Sequence, residues 1–418
     1  MTKKTKILTL SDHPFSPSGV GTQTKYFITA LLDTGRYSVV SLGGAIKHQD
    51  YTPTATQEYK DDWRTYPVDG YGTADQVRSV MANERPDVVW FMTDPRFWGW
   101  LWMIENEIRP YAPMVYYHVW DNYPYPKFNK KFYDSNDAIC TISGVTDDIV
   151  RTLSPSVDCY RIPHAVPPEI FRPLDPQEVT NYRTQHAQLQ NGKFIFFWNN
   201  RNARRKQSGT LIYWFKEFLE IVGRDKACLI MHTDPKDVHG QDLTAILEDT
   251  GLTNEEVLLS TLKLEAPELA MIYNLADCTI NISDAEGFGL STLESLNCGT
   301  PIIATMTGGL QEQVTDGENW FGVGIEPASK SIIGSQDVPY IYEDRICKED
   351  FLQACLKMYN MTPEQRKEVG EKGRQHALTN FGFDKYAERW ISAMDEIVEH
   401  HGSWDTRKNY QSWNLKKV

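Results

Sequence analysis

Residues 283–322 read SDAEGFGLSTLESLNCGTPIIATMTGGLQEQVTDGENWFG, and the rest of the chain is best read outward from them. The apolar run just before, Cys278–Ile282, has the length and composition of a buried strand. A glycine-flanked loop follows, Glu286-Gly287-Phe288-Gly289, and a helix begins near Leu290. A strand that runs through such a loop into a helix presents unpaired N–H groups and the positive end of a helix dipole, which suits a phosphate. The glycines let the backbone approach a ligand closely. Glu294 falls one helical turn beyond Leu290, at the edge of the apolar stripe. A carboxylate there is costly unless it accepts hydrogen bonds, and a ribose diol would supply two. Glu286 can receive sugar hydroxyls in the same way. The plainer reading is a surface glutamate and a rim glutamate beside an ordinary turn; it leaves the glycines and the later turn Thr307-Gly308-Gly309 as coincidence.

The alternation of strand and helix extends on both sides. Lys6–Leu10, Tyr37–Leu42, Asp87–Met92, Met114–Trp120 and Ala138–Ser143 are strand-like, with helix-period segments such as Gln23–Leu32 between them. Ile162–Pro176 carries five prolines, which disfavour helix and central strand, and reads as a connector. The alternation then restarts with Phe194–Trp198, Ala227–His232, Val257–Ser260, Cys278–Ile282 and Pro301–Thr305, and Lys348 to about Glu399 is helical. This order gives parallel sheets covered on both faces. We therefore expect an α/β chain of two Rossmann-like, doubly wound domains facing across a cleft. Residues 1–165 form the first and 166–399 the second, with the tail 400–418 packing back on the first. The polar, turn-rich segment Lys47–Tyr71 reads as an insertion. Ligands of such sheets sit at the carboxyl ends of the strands.

The 418 residues are 41% hydrophobic and 24% charged, ordinary globular usage that excludes wholesale disorder. A formal net charge of −13 argues against sequence-blind coating of nucleic acid or of an anionic membrane. No run approaches the roughly 18 apolar residues that span a bilayer. The start, MTKKTKILTLSD, lacks the small-residue cleavage site of a signal peptide. Seven cysteines stand singly with no CxxC, which suits reduced, buried thiols in a cytoplasmic protein rather than disulfides or a zinc site. Asp61-Asp62 and Asp147-Asp148 have no further ligands beside them, and no metal site is expected.

A second segment, NNRNARRKQSG (Asn199–Gly209), follows the strand Phe194–Trp198. Cations at a helix start oppose its dipole, so the group Arg201, Arg204, Arg205 and Lys206 makes most sense with an anion between them. The alternative is an ordinary solvated helix start. In the first half, PFSPSGVGTQ (Pro14–Gln23) places Gly19 and Gly21 after a strand, a weak phosphate-loop signal. His118 ends the strand Met114–Val119, where a lone histidine is either functional or a satisfied core residue. Asp94–Trp102 and Val119–Pro126 are aromatic-rich and either stack on an acceptor or pack the core.

Glu286 and Glu294, separated by seven residues, with the following CGTPIIAT…GG…E…DG, resemble the retaining GT-B glycosyltransferases related to glycogen synthase and sucrose synthase, the family 4-like group. The resemblance implies that Glu286 contacts hydroxyls of the transferred sugar. The amides of Gly287, Phe288, Gly289 and Leu290 would lie over sugar and phosphate, and Glu294 would hold the nucleotide ribose. Arg201 and Lys206 would clamp the diphosphate, Gly19 and Gly21 would approach the phosphates, and His118 would face the sugar. It implies a nucleotide-sugar donor (UDP-sugar first, GDP- or ADP-sugar otherwise), no metal or further cofactor, and front-face transfer with retention. A soluble sugar or glycan is the default acceptor and a hydroxymethylated DNA base touching the basic tail is the second reading. A nucleotide-sugar epimerase and a silent nucleotide-sugar binder are the rival functions.

Overall fold

Ile7 to Leu10 are buried on both faces, as the central strand of a parallel sheet requires. They belong to β1 (Thr5–Asp12) in the computed structural model, which describes residues 3–120, 123, 125–186, 189, 192–252 and 255–412. The first sheet adds β2 (Tyr37–Gly44), β3 (Thr54–Ala55), β4 (Trp63–Pro67), β5 (Val88–Thr93), β6 (Met114–His118), β7 (Ala138–Thr141) and β8 (Asp158–Arg161). Its order is β3-β4-β2-β1-β5-β6-β7-β8, parallel throughout except for the β3–β4 pair. The second sheet is wholly parallel and consists of β9 (Phe194–Asn199), β10 (Ala227–His232), β11 (Val257–Ser260), β12 (Cys278–Asn281), β13 (Ile302–Thr305) and β14 (Gly322–Ile325). Its order is β11-β10-β9-β12-β13-β14. A separate antiparallel pair, β15 (Ser329–Ile333) and β16 (Ile341–Arg345), follows β14.

In both sheets strand order reverses beside the first strand, between β1 and β5 and between β9 and β12. Connections leave in opposite directions there, so a crevice opens at the carboxyl ends. The loops after β1, β9 and β12 therefore border this crevice. No helix among the described residues is long and apolar enough to cross a membrane.

Two expectations about the chain's layout are corrected. Lys47–Tyr71 is not simply an insertion, because β4 joins the main sheet beside β2. Only Trp63 and Thr65 of that strand turn inward, and the polar residues between them conceal it in the sequence. The second domain also ends earlier than residue 399. Helix Phe383–His401 crosses back to the first domain and packs on helix Gly19–Leu32. Trp390 meets Phe27 edge-on at 4.6 Å, and Phe27 stacks on Trp90 at 4.2 Å. Arg36 and Tyr37 both hold Asp395, at 2.8 and 2.5 Å. Beyond it, Trp404 stacks on Tyr111 and Arg407 pairs with Asp137 at 2.6 Å, so the described tail lies on the first domain. Residues 413–418 of that tail lie outside the described residues.

Trp390 is fully buried among Phe27, Trp90 and Tyr117. Trp390→Ala is expected to lower unfolding free energy by about 3–5 kcal/mol, from lost burial and the cavity left behind, as read in urea denaturation.

Candidate active site

Parallel pairing of β9 with β12 brings the loops after the two strands side by side. The first loop makes a short turn, Arg204–Lys206, and the second carries Glu286. Lys206 is buried, and its ammonium donates to Glu286 Oε2. Arg205 stands 3.8 Å from the same carboxylate and donates to the Ala285 carbonyl at 2.6 Å. Burial pushes the Glu286 carboxyl upward, but Lys206 and Arg205 outweigh it and hold the group below its ordinary value. Glu286 is thus ionised beside Lys206, with little water around the two side chains.

Helix Leu290–Asn297 starts directly after this loop. Gly289 precedes it with φ of +94°, a conformation side chains resist, and a Cβ there would lie 2.5 Å from Leu310. No side chain caps the helix and no acidic residue occupies its first turn, so its leading amides remain open to an anion. Glu294 lies one turn in and accepts from the Tyr273 hydroxyl at 2.7 Å, with Asn199 Nδ2 at 3.5 Å. Burial raises its carboxyl to about 7, against those hydrogen bonds. Phe288 turns away from the loop into the core, against His164 and Phe381.

The first domain meets this surface through Gly19. A Cβ on Gly19 would stand 2.9 Å from Leu290 Cδ1, so the glycine permits the β1 loop to touch helix Leu290–Asn297 across the cleft. Gly21 serves a different need: a Cβ there would strike Ser16 Oγ at 2.2 Å and the His13 carbonyl at 2.6 Å, so it closes its own loop. Glu312 makes a further bridge, accepting from the Gly144 amide at 3.1 Å and Arg161 at 2.5 Å.

The structure thus brings together Lys206, Glu286, Gly287, Gly289, Leu290, Glu294 and Gly19. It does not bring Arg201 to them: the exposed guanidinium forms two hydrogen bonds to Asp237, at 2.6 and 3.1 Å. The neighbour of the Lys206–Glu286 pair is Arg205, which sequence reasoning grouped with the cations without singling it out. His118 is corrected as well. It is wholly buried within the first domain, with Nδ1 3.2 Å from the Tyr116 hydroxyl and Nε2 2.9 Å from that of Tyr133. Burial depresses its pKa to about 3, so it is a neutral core residue. Of the aromatic segments, Trp98 and Trp102 pack in the core against Phe91, and Trp120 is buried. Asp121, Asn122 and Pro124 lie outside the described residues.

Sequence reasoning also missed a polar network behind the pair. Asp284 accepts from Gln207 at 2.5 Å and pairs with Arg345 at 2.7 Å, and buried Glu343 takes both guanidinium nitrogens of Arg204 at 2.8 and 2.5 Å. Gln207 itself sits at φ +56°, held there by that hydrogen bond. No local pattern announces these partners. One described group has metal-ligand chemistry, Asp158 with His400 and His401, away from this cleft. Asp158 Oδ2 there already lies within hydrogen-bonding distance of both rings, at 3.0 and 2.9 Å.

Two Rossmann-like units with a cleft between them constitute the GT-B fold. The sequence profile described as "Glycosyl transferases group 1" matches residues 241–333. Over 164 residues the chain is 27% identical to the D-inositol 3-phosphate glycosyltransferase of Arthrobacter sp. (strain FB24), covering 38% of this chain and 33% of that one. The trehalose synthase of Pyrococcus horikoshii is 26% identical over 142 residues, 34% of this chain and 29% of that one. The chain thus spans about a third of the length of these curated relatives. Sucrose-phosphate synthase from Thermosynechococcus elongatus superposes with a TM-score of 0.74 at 17% identity, over 95% of this chain and 100% of that one. Anabaena HepE in complex with UDP and glucose gives 0.67 at 13% identity, over 94% and 100%.

Glu294 binds an extra proton in the folded state between its ordinary value near 4.5 and about 7, and Asp284, raised to about 6 by burial, acts in the same sense. Stability therefore declines as pH rises through that window. Glu294→Gln is expected to remove about 3 kcal/mol of the decline, measured by denaturant unfolding across pH 4.5 to about 8.

Proposed function

We propose that this chain is a retaining glycosyltransferase that moves a sugar from a nucleoside-diphosphate sugar to a hydroxyl acceptor, without a metal. The observation that carries this reading is the buried Lys206–Glu286 pair beside the uncapped start of helix Leu290–Asn297, with Glu294 one turn further on. Breaking the anomeric C–O bond builds negative charge on the leaving diphosphate and positive charge on the sugar. Lys206, Arg205 and the Gly289–Leu290 amides are placed to stabilise the first of these charges, in a site with little water. Arg201 reaches the phosphates once it leaves Asp237. Glu286, freed from Lys206 as the phosphate takes the ammonium, accepts hydroxyls of the sugar. Glu294 accepts the ribose diol and orients the nucleotide.

In this reading Lys206 is held by the phosphate and Glu286 by the sugar hydroxyls, which favours front-face departure and attack, with the leaving phosphate taking the acceptor proton. A UDP-sugar is the first donor to try, since HepE, a neighbour in fold, is described with UDP and glucose. The acceptor we favour is a soluble sugar or polyol. Of the basic tail on which the DNA reading rests, Arg407 is engaged by Asp137 and by the Arg109 carbonyl, and Lys416 and Lys417 lie outside the described residues. All seven cysteines are unpaired, which suits a reducing, cytoplasmic compartment.

Incubation with UDP-, GDP- and ADP-sugars, with and without sugar and polyol acceptors, tests the reading by nucleotide release and product analysis. Acceptor-dependent release with the anomeric configuration kept supports it. A new sugar nucleotide formed without acceptor would identify an epimerase, and binding without turnover a silent receptor. Lys206→Ala is expected to lower kcat about 100-fold, the effect of losing one well-placed donor to a developing oxyanion. Glu294→Gln is expected to raise donor KM about 10-fold with a smaller change in kcat, as loss of uniform binding does.

A further inference from the structure

The hairpin formed by β15 and β16 belongs to neither main sheet, yet it is anchored at both ends. At its turn, Val338 is 6% exposed and packs within a core cluster of the first domain, with Ile341 beside it. Tyr340 meets Phe128 edge-on at 5.1 Å, Lys330 lies 5.9 Å over the Tyr123 ring, and the Tyr342 amide donates to the Tyr123 carbonyl. All of these partners belong to the first domain.

The base of the hairpin grips the loops of the candidate site. The Asp344 amide donates to the Asp284 carbonyl at 2.8 Å, and Arg345 bridges Asp284 and Glu343, each at 2.7 Å. Glu343 is 1% exposed and lies between the guanidinium groups of Arg204 and Arg345. Arg204 is two residues before Lys206, and Asp284 two before Glu286. Asp284 also accepts from Gln207 and donates its amide to the Arg205 carbonyl at 2.8 Å. A continuous set of contacts therefore runs from the core of the first domain, along the hairpin, to both loops that bear the ion pair. A buried carboxylate shared by two guanidiniums has sharply limited geometry, which suits the fixing of a loop rather than general stabilisation.

We propose that the hairpin is a clasp between the two domains, and that Glu343 and Arg345 are positioning residues that hold Lys206 and Glu286 in register. The positioning half rests on the glycosyltransferase reading above, whereas the clasp half stands on contacts alone. A seated Val338 keeps the first domain against the donor loops, and its release loosens loops far from the turn.

The test uses the full chain, with hydrogen–deuterium exchange and UDP-glucose turnover as separate readouts. Val338→Asp, or Val338→Ser where the aspartate variant does not fold, is expected to speed exchange about 10-fold in residues 200–207 and 283–289, with β1 and β9 unchanged. Faster exchange confined to the hairpin and to residues 123–133 would overturn the clasp. Glu343→Gln is expected to lower kcat about 10-fold or more with KM within about twofold, because a small misplacement of reacting groups acts on the chemical step. Unchanged kcat, or a loss that follows only the unfolded fraction, would overturn the positioning role. Ile332→Ser, on the exposed side of β15, is expected to change neither readout. If the wild type turns over no sugar nucleotide, the glycosyltransferase reading fails while the exchange result still decides the clasp.

Discussion

Lys206 and Glu286 form an ion pair that water scarcely reaches, and the polar contacts of the two loops that carry them are arranged around it. Removing an ammonium and a carboxylate from water costs several kcal/mol each, and their attraction offsets this only in good geometry. Such a pair adds little to stability. In the proposed reaction its worth lies in holding two charged groups dehydrated and close together, where the donor phosphate would exchange for one of them. The parallel register of β9 and β12 supplies the proximity, Arg205 adds charge, and the Asp284–Arg345–Glu343–Arg204 network limits how far either loop can move.

Legibility in the sequence tracks distance along the chain. The strand, glycine loop and helix around Glu286 and Glu294 lie within a few residues of one another, so their chemistry is visible as spacing. The proline-rich connector and the two runs of alternating strands are visible for the same reason. Contacts between distant segments leave no such trace. Nothing local says that Arg204 will meet Glu343, or that Gly19 must be bare because Leu290 sits over it. Arg201 and Arg205 differ by four positions in one basic run, and only the fold sends one to Asp237 and the other toward Glu286.

His118 shows how residue type misleads where side-chain direction decides. It follows Tyr116 at strand period, so both project from the same face of β6, into the space closed by Tyr133. Tyr117, on the other face, is the residue that reaches the connector, through His164 at 2.7 Å. The aromatic abundance of the first half has the same explanation. Trp90, Trp98, Trp102 and Tyr116 fill both faces of a sheet and bring little surface to a ligand. β4 escaped notice because a strand that turns only Trp63 and Thr65 inward has no apolar run to display.

Helix Phe383–His401 means that the backbone passes between the domains twice, once through Ile162–Pro176 and again near Gly382. A body attached at one point can swivel about three axes, but one attached at two can only turn about the line that joins them. The fold is therefore hung like a door on a pair of pins, and widening or narrowing the gap becomes its softest mode. Twisting that would slide Gly19 sideways past Leu290 is opposed by the chain itself.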